Sequence, residues 1–114
     1  MVIDVDPGWH ISGRPIPEGY QALTVELEGI PEVEVRPAQY PVAQPFVAEG
    51  LDEQFHVYEG RTQVLVPFAV RVPPGHGAID VKIVLQYQVC NETECLPPNR
   101  MELKLRLDEA AAAA

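Results

Sequence analysis

From Ala78 to Val89, apolar Ile79, Val81, Ile83, Leu85, Tyr87 and Val89 alternate with Asp80, Lys82, Val84, Gln86 and Gln88. A period of two puts one set of side chains on one face of an extended chain, so the segment is predicted to be a long half-buried β-strand, blurred only at Val84. Met101 to Leu107 repeats the pattern with its apolar residues at odd positions, and Gln21 to Glu28 does so through Leu23, Val25 and Leu27. Thr62 to Val72 is rich in β-branched residues but holds Pro67, which lacks a backbone donor and implies an edge position or a bulge. Shorter strands are expected at Val2–Val5, Trp9–Ser12, Glu32–Arg36 and Phe55–Tyr58. Turn chemistry separates them at Pro7-Gly8, Pro15 to Gly19, Gly29 to Pro31, Glu49-Gly50 and Pro73-Pro74-Gly75. Some seven short strands with regular turns favour an all-β two-sheet sandwich, although periodicity alone leaves a barrel open.

With 114 residues, 46% of them hydrophobic, the chain is long enough for one core and too short for two ordinary domains. Residues 1–109 are read as that domain; the alanine-rich 110–114 read as a linker or an appended tail and are left out of the fold. No apolar run approaches the roughly 20 residues of a membrane helix. No charged, apolar leader with a small-residue cleavage site opens the sequence, so an exported parent is expected to have lost its signal. A formal net charge of −9 repels phosphate backbones and anionic lipid surfaces, which argues against nucleic acid and against direct membrane contact by this domain.

The chain has two cysteines, Cys90 and Cys95, in a loop between the two clearest strands, and Leu96-Pro97-Pro98 stiffens the exit. Closing so short a loop contributes only about 2 kcal/mol, against roughly 4 to 5 kcal/mol for a domain-spanning bridge, so a purely structural disulfide would be poorly placed here. A small local bridge that pins a hairpin end nevertheless remains the alternative, and with it a non-catalytic binding module. If the pleat of the long strand continues, Tyr87 and Val89 face the core and Cys90 starts on the exposed side, where a partner protein can reach it. Glu92 and Glu94 lie between the sulfurs, and their charges disfavour thiolates, so free thiols here are expected to have raised pKa values and to react slowly. The count of two cysteines leaves the redox compartment open.

Other chemistries find little support. His10, His56 and His76 match no zinc spacing, so no metal is expected. The run Glu26, Glu28, Glu32, Glu34 fits the wet face of strands, Trp9 after Pro-Gly fits a core position, and Asn91-Glu92-Thr93 is a glycosylation sequon relevant only to a eukaryotic secretory protein. No Ser/His/Asp set or glycine-rich phosphate loop stands out.

Three blocks in order, Pro7-Gly8-Trp9-His10-Ile11, Val57-Tyr58-Glu59-Gly60 and Tyr87-Gln88-Val89-Cys90-Asn91 with Cys95-Leu96-Pro97-Pro98, resemble the amino-terminal domain of DsbD-type thiol:disulfide interchange proteins. The last block is the most specific, and some members carry one more residue between the cysteines. The resemblance implies an immunoglobulin-like β-sandwich in the bacterial periplasm, exported as part of a membrane-embedded parent polypeptide. It would take electrons from a thioredoxin-like protein or domain and pass them to oxidised partners, such as those of cytochrome c biogenesis. It implies catalytic Cys90 and Cys95, with Cys95 forming the intermolecular bond and Cys90 resolving it, and no cofactor. It also implies a cap loop over the pair, here Glu49 to Phe55 with Gly50 as hinge and Leu51 or Phe55 as apolar lid. His10 and Ser12 fall where relatives place aromatics beside the pair, and Tyr87 is the aromatic that leads into it.

Overall fold

The computed structural model describes residues 1–28, 30–47, 54–71 and 77–107, and all of its regular structure is β. The strands, in chain order, are β1 (Val2–Asp4), β2 (His10–Ser12), β3 (Thr24–Glu28), β4 (Val33–Val35), β5 (Gln44–Val47), β6 (Gln54–Tyr58), β7 (Arg61–Gln63), β8 (Phe68–Val70), β9 (Ile79–Tyr87), β10 (Val89–Cys90) and β11 (Asn99–Leu107). They form a three-stranded sheet of order β11-β9-β3, a four-stranded sheet of order β10-β2-β6-β5, and two ribbons, β1-β7 and β4-β8, with every pairing antiparallel.

The alternating pattern of β9 sets the register. Leu85 lies between Val25 of β3 and Met101 of β11, and Ile83 between Leu27 and Leu103, so apolar residues line up across the sheet on one face. That face meets the second sheet in a core of Ile11, Leu23, Val25, Ala43, Tyr58, Val64 and Leu85. Contributions from both sheets make the molecule the expected sandwich. A second cluster of Leu27, Val33, Ile79, Val81 and Leu107 fills the end near the β4-β8 ribbon. The far edge is less covered: Met101, Leu103 and Leu105 of β11 point to the core side yet stay exposed.

Three expectations change. The segment Thr62 to Val72 is two short strands, β7 and β8, interrupted around Pro67, whose carbonyl accepts from Arg36 N at 2.9 Å. Gln44–Val47 is a strand that the sequence reading passed over. Pro45 lies opposite His56 on this strand, and β5 sits at the sheet edge, where a missing donor is tolerated. The third change concerns the end of the long strand, which leads to the cysteines.

Candidate functional site

The ladder of β9 stops at Tyr87, and after one residue the chain joins the other sheet as β10, with Val89 opposite Ile11 and Cys90 opposite His10. The pleat therefore does not continue. Cys90, expected on the exposed side by parity, is buried, with 2% of its surface accessible. Gln88 makes the crossing possible through its carbonyl and both ends of its side-chain amide. Its carbonyl accepts from Ser12 N at 3.3 Å, its Oε1 accepts from Gln21 N at 2.9 Å, and its Nε2 donates to Leu96 O at 3.0 Å. A buried amide so paired carries little desolvation penalty and ties three segments together.

Beyond Cys90 the chain turns at once. Asn91 Oδ1 accepts from Thr93 N (2.9 Å), Thr93 Oγ1 (3.1 Å) and Glu94 N (2.8 Å), an Asx turn that replaces backbone partners the short loop cannot supply. Asn91 N donates to Glu94 O and Leu96 N to Val89 O, so Cys90 and Cys95 face each other across a two-strand bridge with Cα atoms 4.0 Å apart. The sulfurs are joined in a disulfide of 2.08 Å. Its two ends differ: Cys95 is exposed, whereas Cys90 is enclosed.

The enclosure is built on the face of the four-stranded sheet that carries Cys90 and His10 as a cross-strand pair and Phe46 and Phe55 as another. The segment between β2 and β3 arches over this face, anchored by Arg14 Nη1 on Leu23 O at 2.9 Å and Nη2 on Thr24 Oγ1 at 3.0 Å. From the arch Tyr20 meets Phe55 edge-on at 4.9 Å between ring centroids, while the His10 ring tilts against Phe46 at 4.3 Å. The result is a cleft of about 260 Å³ with the disulfide in its wall.

Burial pushes the His10 pKa below the usual histidine range, an effect that the charge of Glu59 only partly offsets, so the imidazole is neutral near neutral pH. Its placement is fixed by a tight turn, in which Trp9 N donates to Asp6 O at 3.1 Å. Gly8 there takes a φ of 85°, open to glycine and costly for other residues.

The structure thus brings His10, Phe55, Glu92 and Glu94 to the cysteine cleft together with Cys90 and Cys95. Phe55 lies within β6 and is buried, as a wall of the cleft. Ser12 is buried further along β2, its Oγ without a hydrogen-bond partner, and does not line the cleft. Tyr87 packs against the main core and lines a separate cavity of about 510 Å³, its hydroxyl accepting from Asn99 Nδ2 at 3.2 Å. Leu51 and the rest of 49–53 lie outside the described residues. Sequence reasoning missed Phe46, Tyr20 and the structural parts of Gln88 and Asn91. Only Asn91 carried a local signal, the turn preference of Asn. Among the described residues no group of three His, Cys, Asp or Glu side chains is placed to hold a metal ion, and no helix is long and apolar enough to cross a membrane.

A family model described as thiol:disulfide interchange protein DsbD, N-terminal, matches residues 1–107. The crystal structure of the Neisseria meningitidis DsbD N-terminal domain in the reduced form is similar, with a TM-score of 0.63 at 18% identity over 94% of this chain and 74% of that one. Among curated protein sequences none matches. The shared fold is immunoglobulin-like.

Proposed function

The chain belongs to the family of DsbD amino-terminal domains, and from that membership we propose that it is a thiol:disulfide oxidoreductase module that passes electron pairs through Cys90 and Cys95. The observation that carries the reading is the asymmetry of the bridge, with Cys90 buried beside aromatic walls and Cys95 exposed.

Exchange begins when a thiolate of a thioredoxin-like donor attacks the exposed Cys95 sulfur. The Cys90–Cys95 bond breaks, Cys90 leaves as a thiolate and takes up a proton, and Cys95 is held in a mixed disulfide. A second donor thiol attacks the donor sulfur of that bond, releasing Cys95 and leaving the donor oxidised. The reduced module then works in reverse: the Cys95 thiolate attacks the disulfide of an oxidised partner, and Cys90 attacks Cys95 to expel the partner as a dithiol. Two electrons move in each half, carried by the sulfurs themselves, and no cofactor takes part. Glu92 and Glu94 at the mouth disfavour free thiolates, which suits a carrier that reacts only when docked. The same reading places the domain in the periplasm, attached to a membrane-embedded parent that supplies the thioredoxin-like donor.

The test is the reduction potential of the pair, measured against glutathione or a thioredoxin-like protein. A carrier equilibrates with such couples; a potential far below about −300 mV would mark an inert structural bridge and a binding module instead.

A further inference from the structure

His10 occupies a position that the exchange scheme does not yet use. It is the direct cross-strand partner of Cys90 and shares its face of the sheet. Its ring borders two clefts at once. One is the aromatic cleft that holds both cysteines. The other, which shares Phe46 with the first, is open, and Asp6, Glu59 and Glu92 are among its lining residues. The charged and titratable groups that line the two clefts with His10 are Asp6 from the β1–β2 turn, Glu59 from the β6–β7 turn, Glu92 and Glu94 from the cysteine loop, and Tyr20 from the arch, and of these Glu59 acts on the imidazole by its charge. No lysine or arginine borders either cleft among the described residues. A buried thiol with no cation beside it needs a base to become a nucleophile, because an isolated thiolate in an apolar wall is strongly disfavoured.

We propose that His10 is the proton relay of the pair, taking the proton of Cys90 as that sulfur attacks the mixed disulfide and passing it to the acidic cleft of Asp6, Glu59 and Glu92. The inference rests on disulfide exchange at this pair. In the resolving step the Cys90 S–H proton moves to a ring nitrogen of His10, the Cys90–Cys95 bond forms, and the bond from Cys95 to the partner sulfur breaks. The partner leaves as a thiolate and is protonated by solvent. The imidazolium then releases its proton to water and carboxylates in the open cleft. In the opposite direction the relay returns a proton to Cys90 as it leaves. A neutral imidazole at working pH is the form the step requires, and burial supplies it.

The experiment mixes reduced protein with excess dithiobis(nitrobenzoic acid), which releases one coloured thiolate when Cys95 attacks and a second when Cys90 resolves. His10→Phe keeps a ring against Phe46. It is expected to slow the second phase by roughly tenfold or more, the lower range of general-base effects, and to leave the first phase unchanged. Glu59→Gln, at an exposed residue, keeps the histidine but removes a charge that favours imidazolium. The midpoint of the second phase against pH is therefore expected to move to lower pH. The inference is overturned if the second phase in His10→Phe matches the unaltered protein, if both phases slow alike, or if the midpoint in Glu59→Gln does not move. Failure of the exchange reading itself looks different: no thiolate release from the unaltered protein, or an intact second phase in Cys90→Ser, removes that reading and the relay with it.

Discussion

Reducing the disulfide without changing the sequence isolates the contribution of the bridge to stability. Cys90 and Cys95 are five positions apart, and the loop-entropy relation for so small a ring gives about 2 kcal/mol. The remaining supports of the loop do not involve the sulfurs: the three contacts to Asn91 Oδ1, the Leu96 N to Val89 O bond and the Gln88 side chain are expected to persist when the bond opens. Cys90 in its thiol form stays a small apolar group suited to a buried site. With an unfolding entropy of about 2.1 cal/mol/K per residue over about 110 residues, a loss of about 2 kcal/mol lowers Tm by about 9 °C. Urea unfolding of the oxidised and phosphine-reduced protein at one pH is the assay, with the same slope expected for both. The Cys90→Ser variant is a poorer comparison, since a hydroxyl in that enclosed position adds about 1–3 kcal/mol of its own when unpaired. A loss of about 5 kcal/mol on reduction, or a transition that is no longer cooperative, would refute the reasoning and return the bridge to a structural role.

Other outcomes can be checked alongside. Cys90→Ser, which keeps the exposed Cys95, is expected to accumulate a mixed disulfide with a thioredoxin-like partner on non-reducing gels, and Cys95→Ser is not; equal trapping would remove the assignment of roles. Phe46→Ala is expected to speed reaction of the reduced pair with a small disulfide by thinning the wall beside His10, and Leu51→Ala to do so if 49–53 form the lid; unchanged rates in both would mean that neither residue shields the pair. Phe55→Ala, at a site 4% exposed, is expected to cost about 3–5 kcal/mol in urea unfolding, a wall residue's cost. Gly13→Ala would set a Cβ 2.7 Å from Tyr58 Cε2 and 2.9 Å from Ala43 Cβ, and the overpacking is expected to cost about 1–3 kcal/mol by the same measurement.

The sandwich was legible because alternation is a direct consequence of strand geometry, and β3, β9 and β11 each carry it over several residues. The cysteine pair was legible from its spacing and its flanking prolines. Parity failed at Gln88, one residue past the end of β9, because counting alternate positions assumes a single ladder and the chain there leaves one sheet for another. A glutamine in a run of strand-forming residues gives no local sign that its amide will bond to positions as distant as Gln21 and Leu96. Phe46 was hidden for a related reason: Pro45 argues against a strand locally, whereas an edge position tolerates it. Tyr20 reaches the cleft only through the path of the arch, which no short-range pattern encodes.

The closeness of the two sulfurs within one small turn also bears on how the chain reaches its oxidised state. The sheets join segments far apart, such as Val2 with Gln63, and topologies of this kind fold slowly, leaving side chains open to wrong encounters. In a chain with several distant cysteines, oxidation during that interval can lock in a wrong pairing. Here the chain has two cysteines, and its single internal disulfide is closed by a turn that the neighbouring asparagine favours. Within these 114 residues, oxidation before, during or after folding can close only this one internal bond.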